Sequence, residues 1–519
     1  MSTTSTVTGT LSSPGIGSGL DVNSIVSKLV AVESLPLTVM QTQAASIQTD
    51  ISTFGQISSD LSALETASSA LQDQTTWKAL TLTSNTPSAI TGSTSSGALA
   101  GSLSVQVNSL ATSQTLASAA VPNSASGVPG TIGTAGTLTI QMGSWNSDGS
   151  FTNAVGVSGG TAPAAVSVTV SATDTLATIA AHINSQSSAA GVSAQVVTSG
   201  NNQSLLITGN ATGAASGFMI TPDTGTDASG AANPLGSLDS LGYYASTTTT
   251  QVSASTTNGV VTPAHYPPGG GLTQSTAASD ASLVIQGIAV TSASNNVTTA
   301  LSGVTLNLLT TTTSPVQLTM AVDTASITTK IQAFQTAYNQ LNSDIATSTA
   351  YDSSTKTGGP LLGDTTTYGI QNMVRSILGA NGPTNSTIGR LSDLGLQVQA
   401  DGSLTTNSTM LAAALQNPSN VQKFFANVSA DGSNDGIATR MYNFSFGALG
   451  VGGLATLHTA GYQTTLATNT KNQATFNTHI AAYQAQLLAQ YNALDTTMGS
   501  LSSLSSFVTA QLAQWSKSS

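Results

Sequence analysis

The residue types able to do chemistry in this chain are few and widely spaced. Gly156-Val157-Ser158-Gly159-Gly160 fits the G-x-S-x-G turn that presents a nucleophilic serine, and Asp174 and His182 follow in the order of a hydrolase triad. Acyl transfer needs the carboxylate to orient the imidazole. These two residues lie on or beside one short predicted helix, roughly two turns apart, which is expected to be too far for that hydrogen bond. With 49 Gly and abundant Ser, composition alone produces such a pattern. Gly15, Gly17 and Gly19 hint at a phosphate loop, but no strand precedes them and their spacing is wrong, so a flexible joint is the better reading. His182, His265, His458 and His479 are scattered, with no pair at zinc-ligand spacing and no acidic cluster nearby in sequence. Asp223 and Asp227 sit in a Gly- and Thr-rich loop, where a calcium site would need more carboxylates. The absence of cysteine removes disulfides, thiolate catalysis and thiolate metal sites. No catalytic residue, metal site or cofactor is expected, and the chain reads as a non-enzyme.

The elements that carry these residues must form several domains, because 519 residues exceed one core. Only 6% of residues are Asp, Glu, Lys or Arg, against about 25% in ordinary domains, so hydroxyl and amide groups must keep the surface wet. A net charge of −11 with ten Lys and Arg, none of them between Lys78 and Lys330, excludes a phosphate-binding patch for nucleic acid. Residues 1–20 lack both the basic region and the apolar core of a secretory signal. No stretch approaches the ~18 apolar residues of a membrane span.

Apolar periodicity then divides the chain. After Asp21, a candidate N-cap, Ile25, Leu29 and Val32 space a short helix interrupted at Pro36. A longer helix follows, with Ile47, Ile51, Phe54, Ile57, Leu61 and Leu64 at gaps of three and four and a stammer at Phe54–Ile57. Beyond Lys78 the period becomes two: Leu103, Val105, Val107; Leu138, Ile140, Met142; Val166, Val168, Val170; and Leu283 to Val290 folded about Gln286-Gly287. One short helix, Leu176 to Ile183, has Asp174 as its expected cap, and Thr221 to Leu272 reads as long loops or a lightly ordered subdomain. Helix returns after Asp323 with the cleanest heptad in the chain, Ile327, Ile331, Phe334, Tyr338, Leu341 and Ile345. Helices are also expected around Ile370 to Ile377 and from Met410 to Phe425. The last, from Asn472 to Trp515, includes Ile480, Leu487, Leu501, Leu504, Val508, Leu512 and Trp515 in its stripe, with Asp495 as its single charge.

The expected fold class is α+β and multidomain: a split helical coiled-coil domain drawn from both termini and the middle, with antiparallel β-rich domains inserted. The expected boundaries are 1–36 for an N-terminal docking segment, 37–80 and 321–485 for the helical domain, 81–320 for the β plate (inner 81–115 and 275–320, outer 116–274), and 486–519 for a C-terminal docking helix.

Gly15-Ile16-Gly17-Ser18-Gly19-Leu20-Asp21 with Ile25, Val26 and Leu29 resembles the opening of the flagellar filament cap family, hook-associated protein 2. Ser102 to Ala111, Ser294 to Leu309, Pro360 to Asp364 (PLLGD) and Ser505 to Trp515 resemble that family's landmarks, in order. Thr137 to Thr208 is similar to a short repeat of flagellins and hook-associated proteins. The resemblance implies a homo-oligomeric ring of four to six subunits, five being the preferred count, at the distal end of a growing extracellular flagellum. It further implies export by the flagellar type III apparatus without a cleaved signal peptide. The implied partners are flagellin, the hook-filament junction protein and an export chaperone, with neither nucleic acid nor a membrane span. Gln286 stands where that family commonly has Asn, which leaves the turn type open.

Two roles follow for the apolar stripes. Ile47, Ile51, Phe54, Leu61, Leu64, Ile327, Ile331, Phe334, Tyr338, Leu341, Ile480 and Leu487 are expected to form the coiled-coil core. Ile16, Leu20, Ile25, Leu29, Leu501, Leu504, Val508, Leu512 and Trp515 are expected to dock on a filament, because no flanking charges fix an intramolecular partner for the tail. Alternatives are another flagellar axial protein, flagellin-like or a hook-filament junction protein, or an extracellular adhesin whose Ser- and Thr-rich loops bind glycans.

Overall fold

The structure, a computed structural model, describes residues 21–122, 131–154, 164–222, 238–245, 255–257, 260–262 and 268–517. The chain forms two compact units, Met1–Trp77 with Thr324–Ser519, and Lys78–Asp323. Ile16, Leu20, the G-x-S-x-G segment, Asp223, Asp227 and His265 lie outside the described residues. Helices are α1 (Val22–Glu33), α2 (Leu35–Gln72), α3 (Gln74–Lys78), α4 (Leu176–Ser185), α5 (Ser187–Ala190), α6 (Thr324–Thr349), α7 (Thr365–Gly379), α8 (Ser408–Ala414), α9 (Pro418–Ala426), α10 (Ile437–Leu449) and α11 (Leu454–Lys517). No single described helix is long and apolar enough to cross a membrane.

In the β-rich unit, period-two patterning becomes antiparallel pairing around two cores. One sheet orders its strands Leu80–Ser84, Val316–Val322, Gly101–Ser109, Ala281–Ile285 and Ile288–Ser292. Its inward residues, among them Val105, Val107, Leu283 and Leu318, pack with Ile90, Val304 and Leu306 of a three-stranded sheet. The hairpin at Gln286-Gly287 has φ of 50° and 83°. Positive φ at both central residues is the type I′ signature, which suits the right-handed strand twist.

The second core gathers Leu138, Ile140, Val168, Val170, Ile207 and Phe218 against Leu176, Ile179 and Ile183 of α4. Two expectations fail here. Thr175 rather than Asp174 caps α4, in a capping box with Thr178, while Asp174 closes the preceding turn by accepting from the Ser171 N–H at 2.8 Å. Leu238, Leu241, Tyr243 and Leu272 are buried in this core, so parts of the Thr221 to Leu272 segment are built in rather than loosely looped. Tyr243 pairs with Ile220 through backbone hydrogen bonds of 2.8 Å in both directions.

The helical unit is organised on α2 and α6. Ile327, Ile331, Phe334, Tyr338, Leu341 and Ile345 of α6 are all buried, as are Phe54, Ile57, Leu61 and Leu64 of α2, where the helix runs unbroken through the stammer. Trp77 stacks on Phe425 of α9 and donates its indole N–H to Leu71 O at 2.8 Å, closing the end of α2. Gln335 and Asn339 of α6 each bond Leu404 O, at 2.9 and 2.8 Å, and so fix the hairpin Leu396–Val398 with Leu404–Thr406. The single helix expected from Met410 to Phe425 is two, α8 and α9. Asn417 accepts from the Asn420 N–H and Pro418 occupies the first turn, so the chain stops one helix and starts another there.

The charge-poor helices satisfy their outer faces locally. Along α2, Thr42, Thr49, Ser52, Thr53, Ser58 and Thr66 bond the carbonyl four residues back, and Thr464, Thr465, Thr468 and Thr475 do so along α11. Such bonds slightly weaken a helix, so these long helices depend on the seams they bury.

Candidate functional site

Two arrangements gather the chemically distinctive residues of the helical unit. The first is a polar node where α2, α7 and α11 meet. Asp364, the last residue of the PLLGD segment, caps α7 by accepting from the Thr367 N–H at 2.7 Å. Its other oxygen accepts from the Tyr462 hydroxyl at 2.9 Å and lies 2.7 Å from His458 Nε2. The His458 ring packs against Phe54, with centroids 4.6 Å apart, and its Nδ1 meets the Thr366 hydroxyl at 3.1 Å. Burial opposes ionisation of Asp364, but the Thr367 and Tyr462 hydrogen bonds and the adjacent His458 outweigh it and hold the carboxyl below its usual range. Asp50 nearby is pushed up, by burial first and then by Asp364. Sequence spacing puts no acid near His458, whereas the fold supplies Asp364. One carboxylate ties α7 to α11, and Phe54 of α2 packs on the His458 ring; among the described residues there is no cluster of three metal-ligating side chains.

His182 corrects the same reading in the β-rich unit, since its Nδ1 lies 3.5 Å from Asp174 Oδ2. Asp174 belongs to the turn before α4 and not to the helix, so counting helical rise overstated the separation. The His182 side chain is 47% exposed, and a His–Asp contact of this length with a solvent-exposed ring orients nothing for catalysis.

The second arrangement is the α1–α11 seam and the stripe beyond it. Asp21 caps α1 by accepting from the Ser24 N–H at 2.9 Å. Val22 and Val26 then bury against Leu487, flanked by Val30, Tyr483, Leu488 and Tyr491. Full burial of an aliphatic side chain contributes roughly 1.5–3 kcal/mol, while fixing each backbone residue costs about 1–2 kcal/mol. Three buried side chains therefore hold a twelve-residue helix only weakly. Ile25 is half-buried and Leu29 is exposed. Ile47 and Ile51 of α2 and Ile480 of α11 are half-buried rather than sealed. Near Ile47 the two helices leave an open cleft of ≈ 540 Å³ lined by Gln43, Thr464, Thr468 and Asn469.

From Tyr491 to Ser516, no residue of α11 is buried. Leu494, Met498, Leu501, Leu504, Phe507, Val508, Leu512 and Trp515 are all exposed, Trp515 at 77%, and every residue from Leu501 to Ser516 is exposed. Spacings of three and four place these side chains on one face. Phe507 extends the stripe beyond the residues singled out by periodicity alone. The change from packed to exposed falls inside one continuous helix, after Tyr491, and no sequence break marks it.

A helical unit split around an inserted antiparallel β unit, ending in a long charge-poor helix with an exposed apolar stripe, is the architecture of a structural assembly protein. Family profiles agree: flagellar hook-associated protein 2 N-terminus matches residues 18–114, flagellin hook IN motif 150–210, and flagellar hook-associated protein 2 C-terminus 278–503. Flagellar hook-associated protein 2 of Escherichia coli K12 is 30% identical over 511 residues, covering 96% of this chain and 98% of its relative. The B-type protein of Pseudomonas aeruginosa PAO1 is 27% identical, covering 96% and 97%. The crystal structure of the flagellar cap protein FliD D1-D2-D3 domains from Escherichia coli matches with a TM-score of 0.53 and 27% identity, over 79% of this chain and 99% of that one. The chain belongs to the flagellar hook-associated protein 2 family, the flagellar cap proteins, a structural family.

Proposed function

We propose that this protein caps the distal end of a growing extracellular flagellar filament as a homo-oligomeric ring, and that it promotes folding and insertion of exported flagellin without chemical catalysis. The observation that carries the proposal is the exposed apolar stripe of Leu494, Met498, Leu501, Leu504, Phe507, Val508 and Leu512, a continuous face of the kind that docks on a partner surface such as neighbouring filament subunits. Ile16, Leu20, Ile25, Leu29, Leu501, Leu504, Val508, Leu512 and Trp515 are the proposed docking residues. The remaining core residues hold the leg from which the docking helix extends. Because the stripe carries neutral Ser, Thr and Gln between its apolar positions, each contact is modest, and legs can release and rebind as subunits insert. Buried ion pairs would be costly to break.

The proposal includes a ring of five, export by the flagellar type III apparatus, and contact with the hook-filament junction protein and an export chaperone. Deleting the gene tests the cap role. Loss of filaments with flagellin shed as monomer supports it, whereas intact filaments with lost surface attachment would point to adhesion instead.

A further inference from the structure

Several strand edges of the β-rich unit are closed against pairing with another chain. At the edge strand Val192–Ser199, the Asn184 side chain donates to Ala194 O at 2.7 Å and accepts from the Ala194 N–H at 2.8 Å. At the edge strand Leu80–Ser84, the Thr94 hydroxyl donates to Leu80 O. Irregular registers interrupt the edge strands Thr273–Thr276, between Gln274 and Thr276, and Asn296–Leu301, between Val297 and Leu301. Such devices are how native sheets protect their edges.

Ile288–Ser292, the outer strand of the five-stranded sheet, shows none of them among the described residues. It pairs with Ala281–Ile285 alone and in unbroken register, and Ile288, Ala289 and Thr291 are exposed. The strand contains no proline, and no charged residue occurs from Ala281 to Val322. The two-residue turn Gln286-Gly287 sets which backbone groups are free. Ile285 and Ile288 close the hairpin as a hydrogen-bonded pair, so Ile288, Val290 and Ser292 bond inward, while Ala289 and Thr291 aim their N–H and C=O outward. Val290 packs against the core of this sheet, and alternation puts Ile288 and Ser292 on the same face.

The occupant that fits this edge is a second copy of the same strand. About a two-fold axis at Val290, Ala289 of each copy lies opposite Thr291 of the other, and the two exchange both N–H···O bonds. Val290 then faces its own counterpart and Ile288 faces Ser292, with the apolar faces of both sheets continuous. A one-residue slip would turn that face over, and a two-residue slip would lose one of the two hydrogen-bonded pairs. A two-fold axis near a charged strand brings like charges together, and this neutral strand meets no such repulsion.

We propose that two copies of this protein pair antiparallel through Ile288–Ser292, joining their five-stranded sheets into one. The contact closes on itself, so it links two molecules or two rings and does not build a ring, which needs head-to-tail contacts. Its failure would leave the cap proposal standing.

The test uses the full-length protein, which has no native cysteine, so an introduced cysteine is the only thiol. Each variant is incubated with oxidised glutathione and followed by non-reducing electrophoresis. Val290→Cys is expected to form covalent dimers about tenfold faster than Ile288→Cys alone, because only residue 290 faces its own copy at disulfide distance. Mixing Ile288→Cys with Ser292→Cys should give mixed dimers at the faster rate. Adding Ala289→Lys to Val290→Cys should abolish the dimer with an unchanged melting temperature, since a charge on an exposed edge blocks pairing. Equal rates for Val290→Cys and Ile288→Cys, or no dimer from Val290→Cys, would overturn the proposal. So would dimers that survive Ala289→Lys but disappear when Leu501, Leu504 and Leu512 are replaced by Gln. If Val290→Cys fails to fold, the mixture of Ile288→Cys and Ser292→Cys decides.

Discussion

Replacing Leu501, Leu504 and Leu512 together by Gln separates docking from folding. The three side chains are 56%, 59% and 59% exposed, so rather more than half of their apolar surface remains to be buried. At roughly 1.5–3 kcal/mol for full burial of a leucine, each has about 1–1.5 kcal/mol still to contribute on docking. Together they supply about 3 kcal/mol, or roughly a hundredfold in affinity for the filament end. In the free protein the same changes touch no core, and Gln is nearly as good a helix former as Leu, so the stability change stays within about 0.5 kcal/mol per site. The assay pairs thermal melting of the purified variant with the fraction of filament ends that it caps, counted by electron microscopy. The expected outcome is an unchanged melting temperature with capping lost at concentrations where wild type saturates. A melting temperature lowered as far as by a core substitution would show the stripe to be buried within the free protein, and undiminished capping would show that it does not dock. Either result refutes the reasoning.

Other consequences are equally direct. Phe334→Ala, in the fully buried face of α6 beside Phe425, should cost about 3–5 kcal/mol by chemical denaturation. Asp364→Ala removes the α7 cap and leaves Tyr462 without its acceptor, at about 2–3 kcal/mol, while Asp364→Asn keeps the cap and loses less. Because the Asp364 carboxyl is held below its unfolded value, its stabilisation is present at neutral pH and disappears as pH falls below about 4; in Asp364→Asn that acid-dependent loss should shrink. Val26→Asp should free α1, seen as new protease cleavage within Val22–Glu33 while α6 stays protected. Gln286→Asn, at a φ of 50°, should stabilise the hairpin by a few tenths of a kcal/mol, since Asn tolerates the left-handed region better.

Periodicity made the architecture legible wherever one face of an element is buried. The α6 heptad and the alternating strands at Leu103–Val107 and Leu138–Ile140 are buried as their spacing indicates, because burial of one face imposes a period. The segment near Leu238 and Tyr243 was opaque for the opposite reason: isolated apolar residues among Gly and Ser enter the core singly and show no period. Asp364 with His458 was invisible because the pair is assembled by segments distant in sequence. The PLLGD segment was the one available signal for Asp364. The α8–α9 break was written in Asn417-Pro418, where a cap and a first-turn proline outweigh the continuing apolar pattern. Within α11 nothing in the sequence marks the change from seam to stripe at Tyr491, since the apolar periodicity continues while burial ends.

Docking requires the stripe from Leu494 to Leu512 to be exposed in the free protein and buried at the filament end. Amide hydrogen exchange of that segment, measured in the free protein and in protein bound to filament ends, tests this most directly. The expected result is rapid exchange when free, far faster than in the Ile327–Ile345 face of α6, and a slowing of about a hundredfold or more when bound. Protection in the free protein equal to that of α6, or exchange unchanged by the filament, would contradict it.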